Sequence, residues 1–291
     1  MQPLQHTSNF GHSGRSGLIG WVPRADRGRL RLTGPDALEF LQALVTNDVA
    51  GLQVGQSIDA LYLTPQGRMI TDMRVFRGEV EALVSVPAEI AATLAVRLDF
   101  LIFAEDVQVT DASQLIHEIT LVGESLAHST DIFFDAEREA AIRAELEADG
   151  LPEIAPADLE VMRIEAGRAQ WGVDINEETI PLEAGLLDRA ISQTKGCYVG
   201  QEVIVRVLHR GGGRVAKRLM KIAITGGHAD VPAAGTPITM DGHDVGKVTS
   251  AARSRRLDRV VALGYVQREH ALAGTTVMVG GATAIVVGEC S

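Results

Sequence analysis

The octapeptide Lys195-Gly196-Cys197-Tyr198-Val199-Gly200-Gln201-Glu202 sets an ammonium, a thiol, a phenol, an amide and a carboxylate among glycines. The chain has two cysteines, and the other, Cys290, is the penultimate residue. A free thiol titrates near pH ~8.5, and a cation such as Lys195 favours the more nucleophilic thiolate. Cys197, Lys195 and Tyr198 are therefore candidates for catalytic work. The same residues also suit a tight turn that buries a small Cys, and local chemistry alone favours that turn, because free Cys is among the most buried residue types.

Two other places carry charge in an apolar setting. Arg163-Ile164-Glu165-Ala166-Gly167-Arg168 ends a predicted helix, and Glu165 and Arg168 stand at a spacing that can pair on its surface. Trp171-Gly172 follows at once, and Trp171 could wall a flat heterocycle or simply pack in a core. Asp72 interrupts a strand whose other face carries Met69, Thr71, Met73 and Val75. It could pair with Arg74 on an exposed edge, or face a cavity and accept a ligand N–H.

Other chemistries lack residues. No His-Glu-x-x-His or Cys-x-x-Cys gives metal-ligand spacing, no Gly-x-Ser-x-Gly marks a hydrolase, and Gly211-Gly212-Gly213 lacks the Lys-Ser/Thr of a P-loop. A net charge of −11 argues against direct nucleic-acid binding, although Arg206, Arg210, Arg214, Lys217, Arg218 and Lys221 cluster locally. No apolar run of membrane-spanning length and no secretory signal is present, and two cysteines give no disulfide framework, which together predict a cytoplasmic protein.

The elements that must position these residues alternate. A floppy leader (residues 1–27) precedes a strand at 28–33 and a helix carrying Leu38, Leu41, Leu44 and Val45 on one face. Strands at 57–64 and 68–77 flank the turn triplet Pro65-Gln66-Gly67 as a hairpin. A strand at 80–86, a helix at 87–98 and strands near 107–110 and 116–122 follow. Helices are expected at 134–149 and 157–167. Antiparallel strand sets interleaved with helices predict an α+β body. Beyond Gly213, six short β-rich pieces separated by Gly or Pro predict a small β-barrel at 215–291.

The octapeptide resembles the signature of the YgfZ-type folate-binding proteins, relatives of the glycine-cleavage T-protein (aminomethyltransferase). The similarity extends to Leu32-Thr33-Gly34-Pro35-Asp36-Ala37, Phe40-Leu41-Gln42, Thr46-Asn47-Asp48-Val49 and Pro65-Gln66-Gly67-Arg68 with Asp72. It continues through Arg163-Ile164-Glu165-Ala166-Gly167, Trp171-Gly172 and Ile180-Pro181-Leu182-Glu183-Ala184. The resemblance implies an α+β three-domain cloverleaf with a C-terminal β-barrel around a central folate channel. Residues 28–112 with 151–212 would form the folate-binding domain and 113–150 part of a middle one. It implies tetrahydrofolate or a one-carbon derivative as cofactor, held by Glu165 and Asp72 and further by Arg163, Trp171, Gln201, Glu202 and Arg206. Arg206, Arg210 and Lys217 are candidates for the folate glutamate tail. The T-protein Gly-Tyr-Thr-Gly-Glu segment and the Gly-Gly-x-x-Asp-Asp context of its acidic residue are absent. The resemblance thus implies a monomeric accessory protein for assembly or repair of iron–sulfur enzymes, and through them tRNA modification. A folate-dependent aminomethyl- or methyltransferase is the alternative.

Overall fold

The structure is a computed structural model that describes residues 17–124, 126, 129–210, 212–225 and 230–290. The chain divides into two compact units, Met1–Ala60 with Asp72–Pro156 and Leu61–Thr71 with Ala157–Ser291.

The first unit holds β1 (Leu18–Pro23), β2 (Arg27–Thr33), α1 (Ala37–Leu44), most of β3 (Ser57–Leu63) and β4 (Met69–Arg77), and β5 (Glu81–Pro87). It continues with α2 (Ala91–Asp99), β6 (Gln108–Asp111), β7 (Ile116–Gly123), β8 (Thr130–Asp135) and α3 (Glu139–Ala148). Strands pair in the order β3-β4-β5-β2-β6, and separately as β1-β7-β8. The predicted hairpin forms, and its tip belongs to the second unit. Along β4, Met69, Thr71, Met73 and Val75 are all buried, as the period of two requires.

Two expectations fail here. Residues 17–27 are no leader: Leu18–Pro23 pairs antiparallel with β7, and Trp21 is fully buried with its indole N–H donated to the Leu151 carbonyl at 3.1 Å. The remaining leader residues, 1–16, lie outside the described residues. The helix expected from Phe134 starts only at Glu139, because Phe133 and Phe134 belong to β8, which runs to Asp135. Phe134 fills a core with Trp21, Ile119, Ile142 and Leu146, so burial against two neighbouring strands outweighs helical spacing.

The second unit contains α4 (Pro156–Ala166, whose first residue falls in the first unit), α5 (Leu187–Ala190), α6 (Gln201–Val205) and six strands: β9 (Lys217–Ile224), β10 (Pro237–Met240), β11 (His243–Ser254), β12 (Arg259–Gln267), β13 (Thr276–Val279) and β14 (Ala282–Glu289). These close a barrel in the order β10-β11-β12-β9-β14-β13. Its lumen is filled by Met220, Ile222, Ile224, Val260, Ala262 and Val266 among others. The outer face of β9 and β12 is also apolar, and Leu219, Val261 and Leu263 pack with Ile164 of α4 and Cys290. Burial on both faces explains why these strands read as nearly unbroken apolar runs. Each such side chain contributes roughly 1.5–3 kcal/mol on burial.

Candidate functional site

The octapeptide is anchored by its phenol. Tyr198 is buried among Leu61, Leu63, Met69, Ile175 and Ile204, and burial raises its hydroxyl pKa to about 12. Gly200 adopts φ +82°, and a Cβ there would stand 2.5 Å from the Thr64 carbonyl oxygen. Gly67, in the hairpin turn, has φ +73° and would bring a Cβ to 2.9 Å from Val203. These two glycines let the hairpin tip and the start of α6 approach one another. Cys197 is exposed and unbridged, so the expectation of a buried turn cysteine is reversed: the turn buries its Tyr and leaves its thiol outside. The Lys195 ammonium lies 5.2 Å from the centre of the Tyr198 ring. After α6 the chain continues as one π-helical turn, Arg206–Arg210, a geometry often found at functional positions.

Gln201 is half-buried and donates its backbone N–H to the Tyr198 carbonyl at 3.2 Å, while Glu202 and Arg206 are exposed. Cys197, Lys195, Tyr198, Gln201, Glu202 and Arg206 thus share one short stretch of the second unit.

Arg163 and Glu165, two residues apart on α4, meet different partners. The guanidinium of Arg163 has five N–H donors, and five contacts use them. They reach Glu160 twice at 2.8 and 2.7 Å, the Arg168 carbonyl at 2.6 Å, Asp174 at 2.5 Å and Ser250 Oγ at 2.8 Å. Its expected part in folate binding finds no donor left over. Asp174, its side chain wholly buried, also accepts from the Gln170 N–H at 3.0 Å and from the hydroxyls of Thr249 and Ser250. The result ties α4, the Trp171 loop and β11 together.

Glu165 pairs not with Arg168 but with β11 and the turn after it. Its Oε1 accepts from the Ser254 hydroxyl, and its Oε2 accepts from Arg256 Nε at 2.8 Å and Nη2 at 2.5 Å. The carboxylate side chain is 9% exposed and Arg256 is 70% exposed. One edge of Glu165 is therefore held by a side chain that solvent can draw away, and that edge can receive two N–H donors of a ligand. Trp171 is half-buried and packs against the core around Tyr198, which favours the packing role over an open aromatic wall.

Asp72 lies in the first unit. Its Oδ2 accepts from Arg27 Nη1 at 2.9 Å, and its side chain is 30% exposed. Arg27 also donates to the Ser85 carbonyl at 2.8 Å and Ser85 Oγ at 3.2 Å, and that hydroxyl donates to Glu118 at 2.6 Å. The expected Asp72–Arg74 edge pair does not form, for β4 is flanked by β3 and β5. Arg74 pairs instead with Asp131 at 2.6 Å and Asp59 at 3.2 Å. Glu118 is buried, and desolvation, with repulsion from Asp131, pushes its carboxyl above the usual range. Sequence spacing gave no sign of Arg27, Glu118, Asp174, Ser254 or Arg256. Arg27 and Glu118 meet their partners across strands, while Asp174, Ser254 and Arg256 meet theirs on α4 from a loop, a strand end and a turn, contacts that spacing along the chain does not reveal.

Among the described residues, no three His, Cys, Asp or Glu side chains converge on a metal-sized site, and no helix is long and apolar enough to cross a membrane.

Comparison with known proteins bears on these residues. The GCVT N-terminal domain profile matches residues 24–135, and the glycine cleavage T-protein C-terminal barrel domain matches 217–286. The chain is 26% identical to a putative chloroplastic transferase of Arabidopsis thaliana over 87% of its own length and 66% of the relative's, so it spans just under two thirds of that protein. It is 25% identical to the aminomethyltransferase of Halothermothrix orenii, with 99% and 91% of the two chains covered. For the aminomethyltransferase of Symbiobacterium thermophilum the identity is 28%, covering 95% and 86%. The crystal structure of glycine cleavage system aminomethyltransferase T from Bartonella henselae shares the fold with a TM-score of 0.81, 20% identity and coverage of 95% and 87%. With both T-protein domains in order along it, the chain belongs to the aminomethyltransferase-like family.

Proposed function

We propose that this protein binds tetrahydrofolate or a one-carbon derivative of it and acts as a folate-dependent aminomethyl- or methyltransferase. The observation that carries this reading is the alignment of proteins named aminomethyltransferase with nearly the whole chain, across both T-protein domains. Tetrahydrofolate, when bound, supplies the amine nitrogens that carry the one-carbon unit. Glu165 would hold the pterin by accepting its amino and ring N–H groups on the edge that Arg256 now covers. Asp72, steadied through Oδ2 by Arg27, offers a carboxylate that can accept a proton. Arg163 acts by fixing α4, and so Glu165, rather than by touching the ligand.

A second reading is favoured by Cys197, whose thiol is exposed within an intact octapeptide. In it the protein is a cytoplasmic, monomeric, folate-binding accessory of the YgfZ type, serving iron–sulfur client proteins through that thiol, with no direct nucleic-acid contact. One experiment separates the two. Purified protein is assayed for turnover with an aminomethyl donor and tetrahydrofolate, beside calorimetric folate titration of wild type, Glu165→Ala and Cys197→Ala. Turnover that survives Cys197→Ala and folate affinity lost in Glu165→Ala support the transferase. Folate binding without turnover, together with failure of Cys197→Ala to restore iron–sulfur enzymes in a deletion strain, supports the accessory role. Absence of folate binding refutes both.

A further inference from the structure

Where the short turn Pro181–Glu183 meets the outer face of β9 and β12, a carboxylate, an ammonium and a phenol of the second unit converge. Glu183 is only 8% exposed, yet no N–H or O–H among the described residues donates to its carboxylate. The nearest cation, the ammonium of Lys217, stands 4.0 Å away, beyond hydrogen-bond reach. The same ammonium lies 4.5 Å from the centre of the Tyr265 ring. The Tyr265 hydroxyl is buried, with the Thr179 side chain beside it but no well-formed hydrogen bond. Thr179, near that phenol, is committed to Asn176, whose N–H it accepts at 3.0 Å and whose Oδ1 lies 3.3 Å from its hydroxyl. No protein donor among the described residues reaches the Glu183 carboxylate, whose oxygens keep contact with solvent, and partial desolvation pushes its carboxyl above its usual range against the opposing pull of Lys217 and Arg68.

The chemistry of the three groups selects a ligand. A carboxylate and the face of an aromatic ring both attract a cation, and a phenol oxygen can accept a further N–H. An ammonium has three donors, enough to serve the carboxylate and the phenol together. Lys217 supplies such a group only loosely, since its side chain is 51% exposed and its ammonium makes no hydrogen bond to Glu183. We propose that Glu183, Tyr265 and the space now covered by the Lys217 ammonium form a binding seat for a primary alkylammonium group, with Lys217 as its displaceable occupant. On the transferase reading above, on which this last step alone rests, the amine of an aminomethyl group is such a ligand. The seat itself is defined by this chain's residues and needs no folate.

The test uses no folate and no turnover, so its failure leaves the folate reading standing. The chain has three tyrosines, and ring-labelled tyrosine with Tyr265→Phe for assignment gives a reporter inside the seat. Methylammonium is titrated at constant ionic strength, with sodium acetate as the anionic counterpart. A saturable shift of the Tyr265 resonance is expected for methylammonium alone. Lys217→Met, which removes the resident cation from a largely exposed position, should bind several-fold more tightly, and Glu183→Gln should lose the shift while keeping the wild-type circular dichroism. No saturable shift in either wild type or Lys217→Met overturns the proposal. So does a response to acetate that Lys217→Met abolishes, which marks an anion site, or undiminished methylammonium affinity in Glu183→Gln.

Discussion

Replacing Arg163 with Met keeps an unbranched apolar stem on α4 and deletes every contact of the guanidinium. What is left behind sets the cost. Asp174, its side chain fully buried, retains the Thr249 and Ser250 hydroxyls and the Gln170 N–H but loses its counter-charge. Removing one partner of a buried ion pair costs about 3–5 kcal/mol. Three surviving donors place this case near the lower end, at about 3 kcal/mol. Arg163→Lys keeps the charge but not the fork, so it should fall between Met and wild type. Asp174→Asn added to Arg163→Met removes the stranded charge and should recover part of the loss, the signature of coupling in a double-mutant cycle. The two tryptophans make the measurement local, because Trp21 belongs to the first unit and Trp171 to the second. In a Trp21→Phe background, urea unfolding followed by Trp171 fluorescence reports the second unit. A loss below about 1 kcal/mol for Arg163→Met, or no recovery in the double variant, would refute the network and return Arg163 to the ligand side.

Gly200→Ala forces a side chain into φ +82° with its Cβ against the Thr64 carbonyl; a loss of about 3 kcal/mol is expected by denaturant unfolding, and a change under 1 kcal/mol would show that the turn relaxes freely. Glu118 titrates higher folded than unfolded, so the folded state binds more protons between its unfolded and folded pKa values, and stability from this group falls as pH rises through that window. Glu118→Gln should therefore gain on wild type in thermal midpoint as pH increases from about 4.3 upward; a pH-independent difference contradicts the shift. Arg256→Ala uncovers one edge of Glu165 and should strengthen folate binding in calorimetry if Arg256 competes with the ligand, whereas weakened binding would make Arg256 a ligand contact. Cys197→Ser should leave the unfolding free energy of the second unit within about 0.5 kcal/mol of wild type, as expected of an exposed side chain.

What the sequence made legible follows from which forces are local. Six barrel strands were readable because Gly and Pro punctuate short apolar runs, and six strands form there. β11, at 12 residues the longest of the six, carries Ser254 to Glu165. β1 was hidden because its short apolar run follows a Gly/Ser-rich stretch, and only pairing with β7, about a hundred residues away in sequence, defines it. Phe133 and Phe134 fit either a strand end or a helix start by pattern, and packing beside Trp21 and Phe76 decides for the strand. The site shows the same limit. The octapeptide was locatable by composition, but which of its side chains faces inward depends on the Pro65-Gln66-Gly67 turn, far away in the chain. Likewise Glu165 is separated from Arg256 by 91 positions, too far for spacing to pair them.

Packing accounts for a definite part of the octapeptide. Gly200 is needed by the Thr64 carbonyl, Tyr198 fills the core below, and Lys195 lies against the face of that ring. None of these requirements extends to Cys197, whose side chain is exposed and whose neighbour Gly196 has open space where a Cβ would be. A thiol is an unfavourable surface group, open to oxidation and exchange, and any small polar residue would serve the turn equally well. The fold therefore explains the glycines and the tyrosine and leaves the cysteine to chemistry. If Cys197→Ser keeps its stability and still loses an activity, that activity belongs to the sulfur and not to the turn that displays it.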